Sequence, residues 1–249
     1  MNNHVLYLGD GTIEGPAAYL AAVLQHADVP VHHVPADQPL STVTDADIRN
    51  AAVIVFSDYP FENLTAREAQ LVVTANDGGV GLVMFGGWRS YAIGGYRGTV
   101  IEQRLPVAIG ETDDRVNCAQ PCIAVKRADH PVLESLPFAE PPGIGGYNRV
   151  VADPDAVTVL EAVRFGVHAD DVVSFEPDGD PDPLLVVREA AGRSVAFMTD
   201  VAPHWVGGLV DWGDARVREQ ISGREVEVGN WYARLFQNMV AWASGGRAG

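Results

Sequence analysis

The stretch Gly78–Gly98, GGVGLVMFGGWRSYAIGGYRG, decides the fold. Two glycines stop a preceding helix, an apolar run from Val80 to Phe85 follows, and the run breaks into a glycine-rich turn around Trp88. A short uninterrupted apolar run reads as a strand covered on both faces, as in a parallel sheet flanked by helices. The carboxyl end of such a strand is where open α/β sheets bind ligands. Gly86 and Gly87 permit a turn that a side chain would forbid, and let a ligand approach the main chain. The pocket is expected there.

Upstream, the same alternation repeats. Residues 5–8 (VLYL), 31–34 and 52–57 (AVIVFS) read as further buried strands. Between them, Pro16 suits the first turn of a helix carrying Leu20, Val23, Leu24 and Ala27. Thr44-Asp45-Ala46-Asp47 starts a second helix, and the capping box Thr65–Glu68 starts a third that stops at Gly78-Gly79. Thr99–Glu102 repeats the capping-box pattern before Pro106. Residues 5–105 therefore fit right-handed βαβ units and a parallel sheet.

Downstream the pattern changes. Strands are expected at 122–126, 157–163 and 184–188, with Ala190–Arg193 turning into a hairpin strand from Ser194 to Thr199. His130–Leu133 reads as a short helix or turn. A last helix from Asn230 carries Trp231, Leu235, Met239 and Trp242 on one face. The fold class expected is a flavodoxin-like α/β sheet, mostly parallel and flanked by helices, with an antiparallel elaboration in the second half. Residues 1–249 are expected to form one domain, its β-rich elaboration lying within 106–195, and only the Gly245–Gly249 tail reads as disordered.

The totals exclude several functions. A net charge of -16 argues against nucleic acid and anionic membrane surfaces, which need clustered basic residues. No apolar run approaches the ~18 residues of a membrane span. The start, MNNHVLYLGDG, lacks the basic and apolar regions of a signal peptide, so a cytoplasmic protein is expected. One lysine, Lys126, stands against sixteen arginines, which excludes a P-loop or Schiff-base lysine elsewhere. Cys118 and Cys122 lack a second pair to complete a zinc site and read as free thiols or a local disulfide.

Four presumed strands end in polar or aromatic residues: Asp10, Asp58-Tyr59, Trp88, and Asp200 with His204-Trp205. If those strands are parallel, the ends share one edge of the sheet. Asp10 and Asp58 can equally be turn or helix-cap residues. His204 can be a general base, a ligand for a divalent metal shared with Asp200 and Asp10, or a structural histidine bonded to a loop carbonyl. His32, His33 and His130 read as structural. The run Asp178–Asp182 looks superficially like a calcium loop, but Pro183 stands where the sharp turn needs glycine. Residues 153–182, with nine acids and one arginine, read as a charged surface flap. The Gly86–Gly98 loop has no dinucleotide fingerprint, although the amino end of the Thr99 helix could hold an anion.

LGDG near the start, FGGWRSY with GGYRGT, LPV at 105–107, DDRV at 113–116, HPVL at 130–133, GYN at 146–148 and AFMTDVAPHW at 196–205 resemble the class I glutamine amidotransferase-like superfamily. They resemble most an uncharacterised branch neighbouring the ThuA-like proteins linked to trehalose utilisation. The resemblance spans roughly residues 4–243 and implies the flavodoxin-like fold. Working amidotransferases of this class carry a nucleophilic cysteine on a strained G-x-C-x-G turn. Here Trp88 or Gly87 stands at that position, and the nearest hydroxyl is Ser90. His204 resembles the triad histidine in placement, but Trp205 follows where a histidine-proline-glutamate run would supply the acid. The resemblance thus implies a pseudo-triad without its cysteine and no glutaminase activity.

Three functional readings follow. The first is a binder of a small polar, sugar-like molecule at the strand ends, lined by Asp10, Asp58, Tyr59, Gly86, Gly87, Trp88, Ser90, Tyr147, Asn148, Asp200, His204 and Trp205. The second is a hydrolase or lyase using His204 and Asp200, with or without a metal; no cofactor is named by the sequence. The third is a homo-oligomeric assembly module contacting its copy through Trp205, Trp212 and the loop from Val206 to Gly229.

Overall fold

A computed structural model describes residues 4–110, 113–169 and 172–245, which leaves all but the first residue of the Gly245–Gly249 tail outside the description. In the first half, β1 (Val5–Gly9), α1 (Ala17–His26), β2 (Val31–Val34), α2 (Asp45–Asn50), β3 (Val53–Ser57), α3 (Ala66–Asp77) and β4 (Gly81–Phe85) alternate as expected. Thr44 and Thr65 close full capping boxes with Asp47 and Glu68, and Gly78 ends α3. β1, β3 and β4 are buried along their whole length, as strands covered on both faces must be.

The second half contributes β5 (Val107–Ile109), β6 (Arg115–Asn117), β7 (Cys122–Lys126), β8 (Gly146–Asn148), β9 (Val150–Ala152), β10 (Val157–Ala169), β11 (Val173–Pro177), β12 (Asp182–Arg188), β13 (Ser194–Phe197), β14 (Arg216–Ile221), β15 (Arg224–Gly229) and α4 (Asn230–Ala243). The main sheet runs β11-β10-β12-β13-β4-β3-β1-β2, with β7 pairing β10 as well. β2, β1, β3, β4 and β13 are mutually parallel. β12, β10, β11 and β7 extend the sheet antiparallel. The reversal occurs at the β12–β13 hairpin, so β13 enters alongside β4 without a helical crossover.

A right-handed crossover from β1 to β2 and another from β2 back across to β3 place α1 and α2 on opposite faces of the sheet. Correspondingly α2 packs on α3, and α1 on α4. α4 buries Tyr232, Leu235, Phe236, Met239 and Val240, and Phe236 meets Phe85 and Phe197 with ring centroids 5.1 and 5.7 Å apart. The buried stripe is therefore turned from the predicted one: Trp231 and Trp242 flank it, only partly covered.

Three further expectations change. β10 continues six residues beyond Val163, to Ala169. No α-helix follows Thr99; only a 3-10 turn, Glu102–Arg104, forms there. Thr99 Oγ1 accepts from the Glu102 N–H at 3.3 Å, but the Glu102 carboxylate is drawn away to the N–H groups of Gly98 and Ile109. That removes the predicted helix terminus for an anion. Finally, the segment after Val206 is a 3-10 turn plus the β14–β15 hairpin, and Trp205 and Trp212 are buried within the chain, donating to Asn117 Oδ1 and the Glu140 carbonyl. They are not available to a sister subunit.

Candidate functional site

β1, β3, β4 and β13 lie side by side and parallel, so Asp10, Asp58, the turn Gly86–Trp88 and Asp200 emerge on one edge of the sheet. The first two leave their strands in the left-handed region, with φ of 56° at Asp10 and 46° at Asp58. Aspartate tolerates this better than most residues, yet each such position still costs about 1 kcal/mol. The local fold thus holds two carboxylates at strained corners beside each other.

Asp10 is buried and accepts a short hydrogen bond from the Tyr7 hydroxyl. Burial, then repulsion from Asp200 and Asp58, holds its carboxyl well above the usual carboxylate range. Asp200 is buried too, and burial followed by the charge of Asp58 pushes it up to about 7, against the pull of N–H bonds from Val201 (2.6 Å) and Ala202 (3.1 Å). Burial also raises Asp58, opposed by the Arg89 N–H at 2.6 Å and by the nearby charges of Arg89, His204 and Arg115. All three carboxyls are thus pushed toward the protonated form, in which a carboxyl both donates and accepts hydrogen bonds.

The turn after β4 is fixed by its neighbours' backbone. Gly86 N–H bonds the carbonyls of Phe197 (2.8 Å) and Thr199 (3.0 Å), and a Cβ there would lie 1.9 Å from the Met198 oxygen. Gly87 has φ of +152°, and its Cβ would lie 2.3 Å from Asp58 Oδ1, so the carboxylate rests directly on main chain. Asn148, fully buried, accepts from Gly87 N–H at 2.8 Å and donates to Gly87 O and Asp114 Oδ1, both at 3.2 Å. Ser90 Oγ, also buried, accepts from the Asp58 N–H at 3.1 Å.

At the rim, Trp88 is 41 % exposed. Its ring centroid is 5.7 Å from that of His204 and 6.2 Å from that of Trp205, tilted by about a third of a right angle. The guanidinium of Arg115 lies over the indole at 4.6 Å and is tied to Asp113.

The structure thus brings together Asp10, Asp58, Asp200, Trp88 and His204, with Gly86, Gly87, Ser90 and Asn148 as their supports. It turns three expected lining residues inward. Tyr59 is buried and donates to the Gln38 carbonyl at 2.8 Å. Tyr147 is buried and donates to Asp182 Oδ2 at 2.6 Å. Trp205 is buried, touching the site through the Trp88 ring alone. Two contributors went unread in the sequence: Tyr7, hidden in an apolar run, and Arg115, whose signal was its place in the DDRV motif. Among the described residues no three His, Cys, Asp or Glu side chains are grouped so as to hold a metal ion. Cys118 and Cys122 are both free thiols, neither of them on the β4 turn. Among the described residues no helix is long and apolar enough to cross a membrane.

The family described as "Putative glutamine amidotransferase" matches residues 8–217. Two cytoplasmic proteins of Salmonella typhimurium share the fold. One has a TM-score of 0.73 at 23% identity, covering 96% of this chain and 98% of its own. The other, from strain LT2, has a TM-score of 0.72 at 23% identity, covering 96% and 99%. The N-terminal domain of mmIFT52 matches with a TM-score of 0.61 at 11% identity, over 96% of this chain and 97% of that one. No curated protein matches the sequence.

Proposed function

Since the chain belongs to the "Putative glutamine amidotransferase" family, we propose that it keeps that scaffold without glutaminase activity and binds a small neutral, hydroxyl-rich molecule at the carboxyl ends of the parallel strands. One observation carries this reading: a partly exposed indole, Trp88, stands at the rim of a carboxyl trio, largely buried and pushed toward the protonated form. Aromatic faces pack on the C–H surface of sugar rings, while carboxyls that both donate and accept suit hydroxyls. The ligand ring takes the indole face over which Arg115 lies, and the displaced guanidinium then bonds its hydroxyls. A glutaminase would need a thiolate at the β4 turn, where Gly86, Gly87 and Trp88 stand. The cytoplasm is the compartment that fits this reading.

A panel of neutral hexoses, disaccharides and cyclitols, scanned by thermal shift and then by calorimetry, tests the binding. At least one member is expected to raise the melting temperature of the natural chain and to lose ~10-fold or more in affinity in a folded Trp88→Ala variant. No shift with any member, or unchanged affinity in the variant, removes the reading. Incubation with glutamine is expected to release no glutamate above a heat-treated control; measurable turnover would overturn the assignment of an inactive elbow.

A second reading is favoured by Asp200 titrating near neutrality within reach of the charge of Asp58, itself beside His204. A carboxyl poised near pH 7 moves protons well, so a hydrolase or lyase acting on the same ligand would use Asp200 as acid or base, with His204 as its partner in proton transfer. Chemical change of a bound sugar, lost in His204→Gln while binding persists, distinguishes it from simple binding.

A further inference from the structure

Neither cysteine takes part in the site described above, yet the two meet. Cys118 and Cys122 flank an exposed loop, 119–121, between β6 and β7, and the Cys122 thiol donates a hydrogen bond to the Cys118 sulfur. They differ in access: Cys122 is 2 % exposed, whereas Cys118 is only partly buried. They differ in ionisation as well. That hydrogen bond, aided by the positive charge of Arg164, holds Cys118 below the usual thiol range against the opposing effect of burial. The same bond, and burial, push Cys122 far up. Arg164 stands opposite Cys122 across the β7–β10 ladder. An accessible sulfur inclined to ionise, backed by a buried thiol in contact with it, suits a cysteine that is oxidised and a second that resolves the product.

We propose that Cys118 and Cys122 are a redox-active pair that a small neutral peroxide converts to a disulfide, and that β6 carries the change to Trp88. Charge selects the oxidant: a chain carrying -16 repels anionic disulfides such as glutathione disulfide, but not a neutral peroxide. The Cys118 sulfur, its proton lost, bonds one peroxide oxygen as the O–O bond breaks, and the departing hydroxide takes up a proton to leave as water. The Cys122 sulfur then bonds the Cys118 sulfur as the S–O bond breaks, and the hydroxyl leaves with the Cys122 proton as a second water. Each sulfur gives up one electron, and the two together reduce the peroxide.

Closing the bond moves the chain, because bonded sulfurs lie ~2.05 Å apart, nearer than hydrogen-bonded ones. Cys122 is fixed: all five residues of β7 pair with β10, and its carbonyl accepts the Ile144 N–H at 2.9 Å. Cys118 directly follows the three-residue β6, and its N–H donates to the Gly145 carbonyl at 2.9 Å. The movement therefore falls on β6. On that strand Arg115 lies over the Trp88 indole, and Asn117 Oδ1 accepts from the indole N–H of Trp205, the ring beside Trp88. Oxidation thus shifts two supports of Trp88 together.

Treating the full, reduced chain with hydrogen peroxide, then alkylating, digesting with trypsin and weighing the peptides tests the pair. Both cysteines fall in the peptide 116–126. It is expected to lose two hydrogens, to escape alkylation, and to regain both thiols in dithiothreitol. In Cys122→Ser and, separately, Cys122→Ala, Cys118 should stop at the sulfenic acid and be captured by dimedone. In Cys118→Ser the Cys122 thiol should be lost ~10-fold more slowly or less readily still. If both Cys122 variants misfold, the peptide from the natural chain decides. Tryptophan emission should shift in step with thiol loss, and Trp88→Phe should remove most of that shift. Thiols that survive peroxide, proceed separately to sulfinic acid, or bridge two chains overturn the pair. A disulfide that forms only with glutathione disulfide overturns the oxidant, and one that leaves the emission unchanged overturns the link along β6.

Discussion

Gly9→Ala is expected to lower the melting temperature by roughly 8–15 °C, the largest loss any single methyl group should cause near the site. Gly9 ends β1 with φ of +131°, a conformation L side chains rarely adopt, and its Cβ would lie 1.5 Å from the Ser57 carbonyl oxygen and 2.6 Å from the carbon. Ser57 cannot step aside. Its carbonyl accepts the Asp10 N–H at 3.0 Å, and its strand is hydrogen-bonded between β1 and β4. Relief therefore means separating β1 from β3 where Asp10 and Asp58 emerge, at a cost of about 4 kcal/mol or more, and a chain of this size loses ~2–4 °C per kcal/mol. Gly11→Ala is the control: φ there is +64°, but a Cβ meets nothing within 4 Å, so about 1 kcal/mol is expected. Thermal denaturation by circular dichroism separates the two. Equal losses would show that backbone conformation, not the Ser57 contact, governs this corner.

Asp200→Asn is expected to stabilise the protein above neutrality and to abolish the ligand binding proposed above. The Asp200 carboxyl is raised in the folded chain to about 7 from an ordinary value near 3.8, because burial and Asp58 oppose its charge. A raised folded value means that the fold favours the protonated form. The contribution to stability is complete below the unfolded value and is lost as pH climbs through the folded one. The natural chain should therefore lose stability between about pH 4 and pH 8, with Asp10 acting in the same direction. Asparagine keeps an oxygen for the Val201 and Ala202 N–H groups and never ionises. The gain expected at pH 8 is on the order of 2–4 kcal/mol, shrinking toward zero at pH 4. Urea titrations of both chains across that range provide the check. A variant less stable than the natural chain at pH 8 would mean that the Asp200 charge is compensated within the site.

The parallel half of the fold was legible because each strand there is covered on both faces and each helix announces its start. Thr44 and Thr65 each satisfy their own box, and the strand ends fall where the apolar runs stop. Thr99 carried the same pattern and failed, because Glu102 found the N–H groups of Gly98 and Ile109 instead of its own cap. A local signal holds only while no tertiary partner outbids it. The strand-end residues were legible for a similar reason: parallel neighbours must share an edge. What could not be read was which way each side chain turns once the strand stops. Tyr59 and Tyr147 sit beside site residues in sequence and send their rings elsewhere, to Gln38 and Asp182. Tyr7 looked like one more apolar position until its hydroxyl met Asp10. Arg115 reached Trp88 from a strand whose pairing with β8 no periodicity foretold.

The amide of Asn148 has a bearing on how the molecule comes into being. It clasps Gly87 from 61 residues away, and Asp114 from 34. Contacts this distant in sequence form late, after the entropy of closing long loops has been met. The β1–β4 units can assemble from neighbouring segments, whereas the β4 turn is not pinned until β8 has docked. The sheet can thus form before the turn that carries Trp88 is fixed, and the strand-end edge is completed only once β8 has docked.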